Sequence, residues 1–175
     1  MIDKQKIIVI GNGMVGHHFL QNLVDSKQAE SFDITVLCEE PRAAYDRVQL
    51  TSYFTKGADE LSLVSEGFFE QHNIHLKLNC QASTIDRADK TVITLDGERY
   101  AYDKLVLATG STAFVPPVPG HDREHCHVYR TIEDLEAIKQ SAQGGKVGVV
   151  IGGGLLGLEA AKALHELGLD THVVE

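Results

Sequence analysis

The chain has 175 residues, enough for one large domain or parts of two. Hydrophobic residues make up 43% and charged residues 23%, which excludes a disordered chain, and a formal net charge of −9 with acids spread along the sequence excludes the basic face that a nucleic-acid partner needs. No run reaches the roughly 20 apolar residues that span a bilayer, and Cys38, Cys80 and Cys126, odd in number and far apart, suit a reducing cytoplasm better than a disulfide framework.

The first residues, Met1-Ile2-Asp3-Lys4-Gln5-Lys6, run straight into an apolar stretch and lack the long hydrophobic core and small-residue cleavage site of a signal peptide. Residues 6–10 read as a strand, 15–26 as a helix and 33–38 as a second strand, a βαβ unit. Glu39-Glu40-Pro41-Arg42 ends that strand. Residues 43–55 are mixed, with short helical pieces expected around 49–54. Residues 66–72 look like a short helix and 74–78 like a short strand. From Ser83 the period changes to two, and 83–87, 91–95 and 98–102 read as an antiparallel meander. Its turns are Ala88-Asp89-Lys90 and the two-residue hairpin signal Asp96-Gly97. Residues 104–108 form a buried strand ending in Thr109-Gly110.

Phe114-Val115-Pro116-Pro117-Val118-Pro119-Gly120 is a stiff, extended connector, and the domain boundary is placed there, with one domain over 1–115 and the start of another over 116–175. Residues 131–143 form an acidic-fronted helix, with Thr131 as N-cap and Asp134 three residues on. A second βαβ unit follows: a strand over 146–151, a helix over 155–167 ended by Gly168, and a strand over 170–174. Two parallel strands and one helix cannot cover both faces of a sheet. The sequence therefore reads as a piece of a longer polypeptide.

Two glycine-rich turns carry the chemistry. Gly11-Asn12-Gly13-Met14-Val15-Gly16 follows Ile7-Ile8-Val9-Ile10, and Gly152-Gly153-Gly154-Leu155-Leu156-Gly157 follows Val147-Gly148-Val149-Val150-Ile151. In each, the first Gly permits the sharp turn, the second lets backbone N–H groups approach a pyrophosphate, and the third lets the helix pack on its strand. Each motif leads to an acid able to hydrogen-bond an adenosine ribose. Glu39 lies about twenty residues past Gly16, with Glu40 as the alternative, and Glu175 serves the second motif. A carboxylate at Glu175 accepts the 2′-OH of NADH and repels the 2′-phosphate of NADPH. Two nucleotide motifs on one chain point to a flavin and a nicotinamide exchanging a hydride. The fold class is α/β: a Rossmann-like doubly wound domain with a small antiparallel meander, plus the start of a second Rossmann-like domain.

Other residues extend the site. Arg47, ahead of Arg42, offers a forked guanidinium to phosphate oxygens. Ala108-Thr109-Gly110-Ser111 ends a strand at the edge where open α/β sheets bind ligands. His121, His125 and His127 surround Cys126 without a zinc-type spacing, and read as an ordinary polar loop. His17 and His18 read as surface or packing residues, and Tyr45, Tyr53 and Phe54 as core. There is no Cys-x-x-Cys, so no redox-active disulfide is expected, and no phosphate loop of the NTPase type.

Six stretches carry a family likeness. They are the two glycine turns, Cys38-Glu39-Glu40-Pro41-Arg42-Ala43-Ala44-Tyr45-Asp46-Arg47, Glu60-Leu61-Ser62-Leu63-Val64, the segment from Tyr102 to Ser111, and Val128-Tyr129-Arg130-Thr131-Ile132-Glu133-Asp134-Leu135. With these the chain resembles the two-dinucleotide-binding flavoprotein reductases, and among them the N-terminal part of NAD(P)H-dependent nitrite reductase large subunits. The resemblance implies FAD on the first domain, contacted by Gly11, Gly13, Met14, Gly16, Glu39 or Glu40, Arg47, and the backbone near Ala82, Ala108, Thr109 and Gly110. It implies NAD(P)H, with NADH favoured, on Gly152, Gly154, Leu156, Gly157 and Glu175. It also implies electron flow to an iron–sulfur cluster and a sirohaem outside these residues, where nitrite becomes ammonia, a small subunit as partner, and a cytoplasmic location. The chain departs from many relatives at Cys38, where they carry an acid, and at Ser52, where ferredoxin reductases carry a Lys.

Two other functions fit the motifs: a reductase for rubredoxin or a ferredoxin, and a non-catalytic flavin- or NAD-binding redox sensor. The isolated chain is expected to self-associate through residues 145–175, or to show them as its most mobile part, and to hold FAD weakly.

Overall fold

A computed structural model describes residues 4–175. In chain order the elements are β1 (Gln5–Ile10), α1 (Met14–Asp25), β2 (Phe32–Leu37), α2 (Tyr53–Lys56), α3 (Phe68–Gln71), β3 (Ile74–Lys77), β4 (Ala82–Asp86), β5 (Thr91–Thr94), β6 (Arg99–Ala101), β7 (Lys104–Leu107), α4 (Ile132–Ala142), β8 (Val147–Ile151), α5 (Leu155–Glu166) and β9 (Asp170–Val174), with short 3₁₀ turns at Ala29–Ser31, Leu50–Ser52 and Asp59–Leu61. They form two compact units. One runs to Asp46 and resumes over Ser62–Ser111; the other takes Arg47–Leu61 and Thr112–Glu175.

The first unit is built on a four-stranded parallel sheet in the order β3-β2-β1-β7. Successive strand residues point to opposite faces, and the apolar run of β1 is buried on both. Ile7 and Val9 pack with Leu20 of α1, Ile34 and Val36 of β2, and Phe68 and Phe69 of α3. Ile8 and Ile10 pack with Leu37, Cys80 and Val92 toward the meander β4-β5-β6. This two-sided burial is what a parallel strand requires.

Two local expectations change. The Asp96-Gly97 hairpin has a three-residue loop, not two. Thr94 N–H donates to Glu98 O, Gly97 N–H donates back to Thr94 O, and Gly97 takes φ +87°. The Thr94 hydroxyl bonds the Asp96 carboxylate inside the loop, which supports the longer turn. The strand after the meander is not buried: β7 lies at the end of the sheet order, and Leu107 is 61% exposed.

In the second unit α4 has the capping box its sequence announces. The Thr131 hydroxyl accepts from Asp134 N–H, and the Asp134 carboxylate accepts from Thr131 N–H. Ile132 and Leu135 are fully buried. β8 and β9 form a parallel pair with α5 packed on one face. Gly148 lets the helix pack closely there: a Cβ would sit 2.9 Å from Leu164 Cδ1 and 3.2 Å from Leu169 Cδ1, so those leucines would have to shift. Val147, Val149 and Ile151 remain largely exposed.

Candidate functional site

The first glycine turn is shaped by backbone contacts alone. Gly11 holds φ +103°, and its N–H donates to Leu37 O at 2.8 Å, which ties the end of β1 to the end of β2. A Cβ on Gly11 would lie 2.2 Å from the carbonyl oxygen of Ala108, and one on Gly16 would lie 2.1 Å from that of Gly11. Gly13 is different: a Cβ there meets nothing within 4 Å. Gly13 is the N-cap of α1, and no side chain caps the helix. The first-turn amides of α1 thus lack the side-chain cap that closes α4, and they carry the positive end of the helix dipole. These residues fit a pyrophosphate, with donors at the helix mouth and space where a side chain would intrude.

The second turn repeats this geometry. Gly152 holds φ +111° and donates to Val174 O at 2.8 Å. A Cβ on Gly157 would lie 1.9 Å from Gly152 O, while one on Gly154, the uncapped N-cap of α5, meets nothing within 4 Å. Met14 and Leu156 stand in the first turns of α1 and α5.

The shared register decides which residue follows each second strand. Gly11 pairs with Leu37 and Gly152 with Val174, so Cys38 occupies in the first motif the place of Glu175 in the second. The Glu175 carboxylate accepts from Gly153 N–H. The Cys38 thiol is buried and donates to Arg42 O at 3.5 Å. Burial pushes its pKa up, and the backbone amides of Glu40 and Asn12 offset part of that rise. Of the two nearby acids, Glu39 is exposed, whereas half-buried Glu40 accepts from the hydroxyl of buried Tyr45 at 2.8 Å. Tyr45 is thereby a core residue with a polar tip, bridged to Ser62.

Ala108 N–H donates to Ile10 O at 2.8 Å, which sets the Ala108 carbonyl behind Gly11; Gly110 turns the chain at φ +69° and, like Thr109, is exposed. Ala82 begins β4 opposite Thr94. Arg47 is half-buried and falls in the segment that groups with the second unit. His17 is a packing residue: its ring lies edge-on to Phe68 at 5.0 Å and its Nε2 bonds Leu63 O at 3.0 Å. His18 is exposed. The loop histidines spend their nitrogens locally, His121 on Val118 O and both His125 and His127 on the Ser141 hydroxyl, while the Cys126 thiol donates to Gly120 O.

Sequence reasoning passed over Asn12. Its side chain is buried, and neither Oδ1 nor Nδ2 has a partner among the described residues. The signal was a large polar residue between two turn glycines. It also passed over Thr51, Tyr129 and Glu159, whose contact spans too much sequence for any local pattern to reveal.

The sequence profile described as pyridine nucleotide-disulphide oxidoreductase matches residues 5–175. The chain belongs to that family. It is 54% identical over 175 residues to the nitrite reductase (NADH) large subunit of Escherichia coli K12, covering 99% of this chain and 21% of that protein. It is 44% identical over 172 residues to a nitrite reductase [NAD(P)H] of Emericella nidulans, covering 94% of this chain and 16% of that protein. The chain therefore spans about a fifth of the length of these relatives. Among solved structures it is similar to NADH:rubredoxin oxidoreductase of Clostridium acetobutylicum, with TM-score 0.83, 28% identity, and coverage of 98% of this chain and 44% of that one. A NAD-dependent persulfide reductase of A. fulgidus aligns with TM-score 0.85 and 28% identity, covering 96% of this chain and 33% of that one. No helix among the described residues is long and apolar enough to cross a membrane.

Proposed function

We propose that this chain is the electron-input part of a cytoplasmic nitrite reductase large subunit, passing reducing equivalents from NADH to FAD. The observation that carries the reading is the paired glycine turns, each with one open glycine at an uncapped helix mouth, in a chain 54% identical to a nitrite reductase (NADH) large subunit. On this reading residues 1–115 hold FAD and 116–175 begin the NADH domain. When both are bound, the nicotinamide supplies a hydride and the flavin accepts it.

The chain's own residues bind and orient. Gly11, Gly13, Met14 and Gly16 give the FAD pyrophosphate its donors and its room. Glu39 is the preferred ribose acceptor, since Glu40 is held by Tyr45. Arg47 serves phosphate oxygens, and the backbone at Ala82, Ala108, Thr109 and Gly110 lines the remainder. Gly152, Gly154, Leu156 and Gly157 receive the NADH pyrophosphate, and Glu175, prepositioned by Gly153 N–H, takes the ribose. Nitrite reduction to ammonia, with its iron–sulfur cluster and sirohaem, belongs to segments found in the longer relatives, and a small subunit is the proposed partner.

Cofactor choice tests the assignment. Glu175→Ala should narrow the preference for NADH over NADPH, because it removes both the ribose acceptor and the charge that repels a 2′-phosphate. Steady-state kinetics with each nucleotide check this, and equal use of both by the unmodified protein contradicts the role given to Glu175.

A further inference from the structure

His17 follows Gly16, the third glycine of the first turn, and is buried on α1. The carbonyl oxygen of Leu63 can only accept, so His17 Nε2 carries the proton that bonds it at 3.0 Å. Nδ1 is then the bare nitrogen, buried and without a partner among the described residues. Burial lowers the pKa of the ring and favours its neutral form. Phe68 stands edge-on to the imidazole at 5.0 Å and Phe69 lies at 6.5 Å, so two aromatic rings hold it on that one carbonyl.

The contact runs on from Leu63. Its N–H donates to Ala44 O at 3.0 Å, and Ser62 pairs with Tyr45 as an antiparallel bridge. The buried Tyr45 hydroxyl donates to Glu40 Oε2 at 2.8 Å. Ala44 and Tyr45 are the far end of the segment that begins at Cys38 and carries Glu39 and Glu40. The near end is fastened elsewhere: Cys38 N–H donates to Lys77 O at 2.9 Å, and Asn79 N–H to Glu40 O at 3.1 Å. The segment thus has two anchors, one on the end of β3 and one on residues 62–63, which His17 ties to α1. Every link lies in the first unit.

We infer that His17 is a positioning residue for the first dinucleotide site: by holding Leu63 it fixes Ala44 and Tyr45, and with them the pose of Glu39 and Glu40 relative to the helix that receives the pyrophosphate. The inference rests on the proposal that this site takes FAD. His17 touches no part of the cofactor in this role and acts only through Leu63.

The test combines FAD affinity, from flavin fluorescence titration, with amide hydrogen exchange, on the unmodified protein, His17→Phe, His17→Gln, Tyr45→Phe and the His17→Phe/Tyr45→Phe double variant. His17→Phe keeps an aromatic ring and removes the donor. It should weaken FAD binding about threefold to tenfold, the scale of one neutral hydrogen bond. The Leu63 amide should exchange about tenfold faster, while the amide of Val9 in the sheet centre, which reports global opening, should change less. His17→Gln returns a side-chain N–H and should restore both. Tyr45→Phe breaks the same line at its other end. The double variant should therefore weaken binding by less than the product of the two single effects. A His17→Phe affinity within about twofold of the unmodified protein overturns the inference. So does a double variant equal to that product, or a deficit matched by equally faster exchange at Val9. If the unmodified protein binds no FAD, the site assignment itself falls and the inference with it.

Discussion

The two glycine turns have the same local geometry and opposite surroundings. Gly11 and Gly152 share a left-handed φ, the same hydrogen bond to the neighbouring strand, and the same close approach by Gly16 and Gly157. Yet β1 is buried on both faces, while Val147 and Ile151 of β8 are 57% and 74% exposed. The helix positions after the third glycine show the contrast again. His17 is buried against Phe68, and its counterpart Leu158 is 54% exposed. The shape of the glycine turn is thus a local property of strand, glycine and helix, whereas burial depends on flanking strands. The first turn has β7 and Ala108 behind it, and among the described residues the second has β9 alone beside its strand.

Substituting the first glycine of each turn separates these contributions most strongly. Gly11→Ala meets both an unfavourable φ and the Ala108 carbonyl, and should cost about 4 kcal/mol or more. Gly152→Ala meets only the unfavourable φ, with nothing within 4 Å, and should cost about 1–2 kcal/mol. Urea unfolding of the two variants checks the difference; equal losses would mean that the strand behind Gly11 contributes nothing.

Helix caps sharpen the comparison from the other side. Removing the Thr131 hydroxyl from α4 by Thr131→Ala should cost about 1 kcal/mol, because its cap serves the fold. Gly13→Ser and Gly154→Ser at the uncapped helices should lower dinucleotide affinity without a comparable loss of stability. Thermal melts alongside binding titrations distinguish the two kinds of helix end.

The smallest effect depends on pH. Burial holds the His17 pKa below its ordinary value of 6.5, and the hydrogen bond to Leu63 O only partly offsets this. Between the folded value and 6.5 the unfolded chain carries a proton that the folded chain refuses. The contribution of His17 is therefore complete above pH 6.5 and declines as pH falls below it. His17→Phe should flatten that slope in stability measured from pH 5 to 8, whereas a change at exposed His18, whose charge is a lesser cause of the lowered pKa than burial, should reduce it only slightly.

Much of this organisation was legible in the residues because it is local. The βαβ units, both glycine turns, the capping box at Thr131 and Asp134, and the end of α5 at Gly168 all follow from short-range rules of turn, cap and period. What the sequence hid depends on neighbours far along the chain. The apolar run of β7 reads as a buried strand, and only the sheet order shows it at an edge. The Asp96-Gly97 pair marks a hairpin, but the Thr94–Asp96 hydrogen bond lengthens its loop. Spacing alone pointed past Cys38 to Glu39; the family likeness marked Cys38 as the place of an acid, and the two strand registers align it with Glu175, while the Tyr129–Thr51–Glu159 contacts appear only once three segments are brought together.

The central claim, that the two turns hold different dinucleotides, is tested most directly by one paired titration. FAD and then NADH are added to the unmodified protein, Gly13→Val and Gly154→Val, while bound flavin absorbance is followed without oxygen. The account predicts that Gly13→Val loses flavin binding, and that Gly154→Val retains flavin but loses its bleaching by NADH. Normal flavin content in folded Gly13→Val, or loss of flavin in Gly154→Val alone, would contradict it.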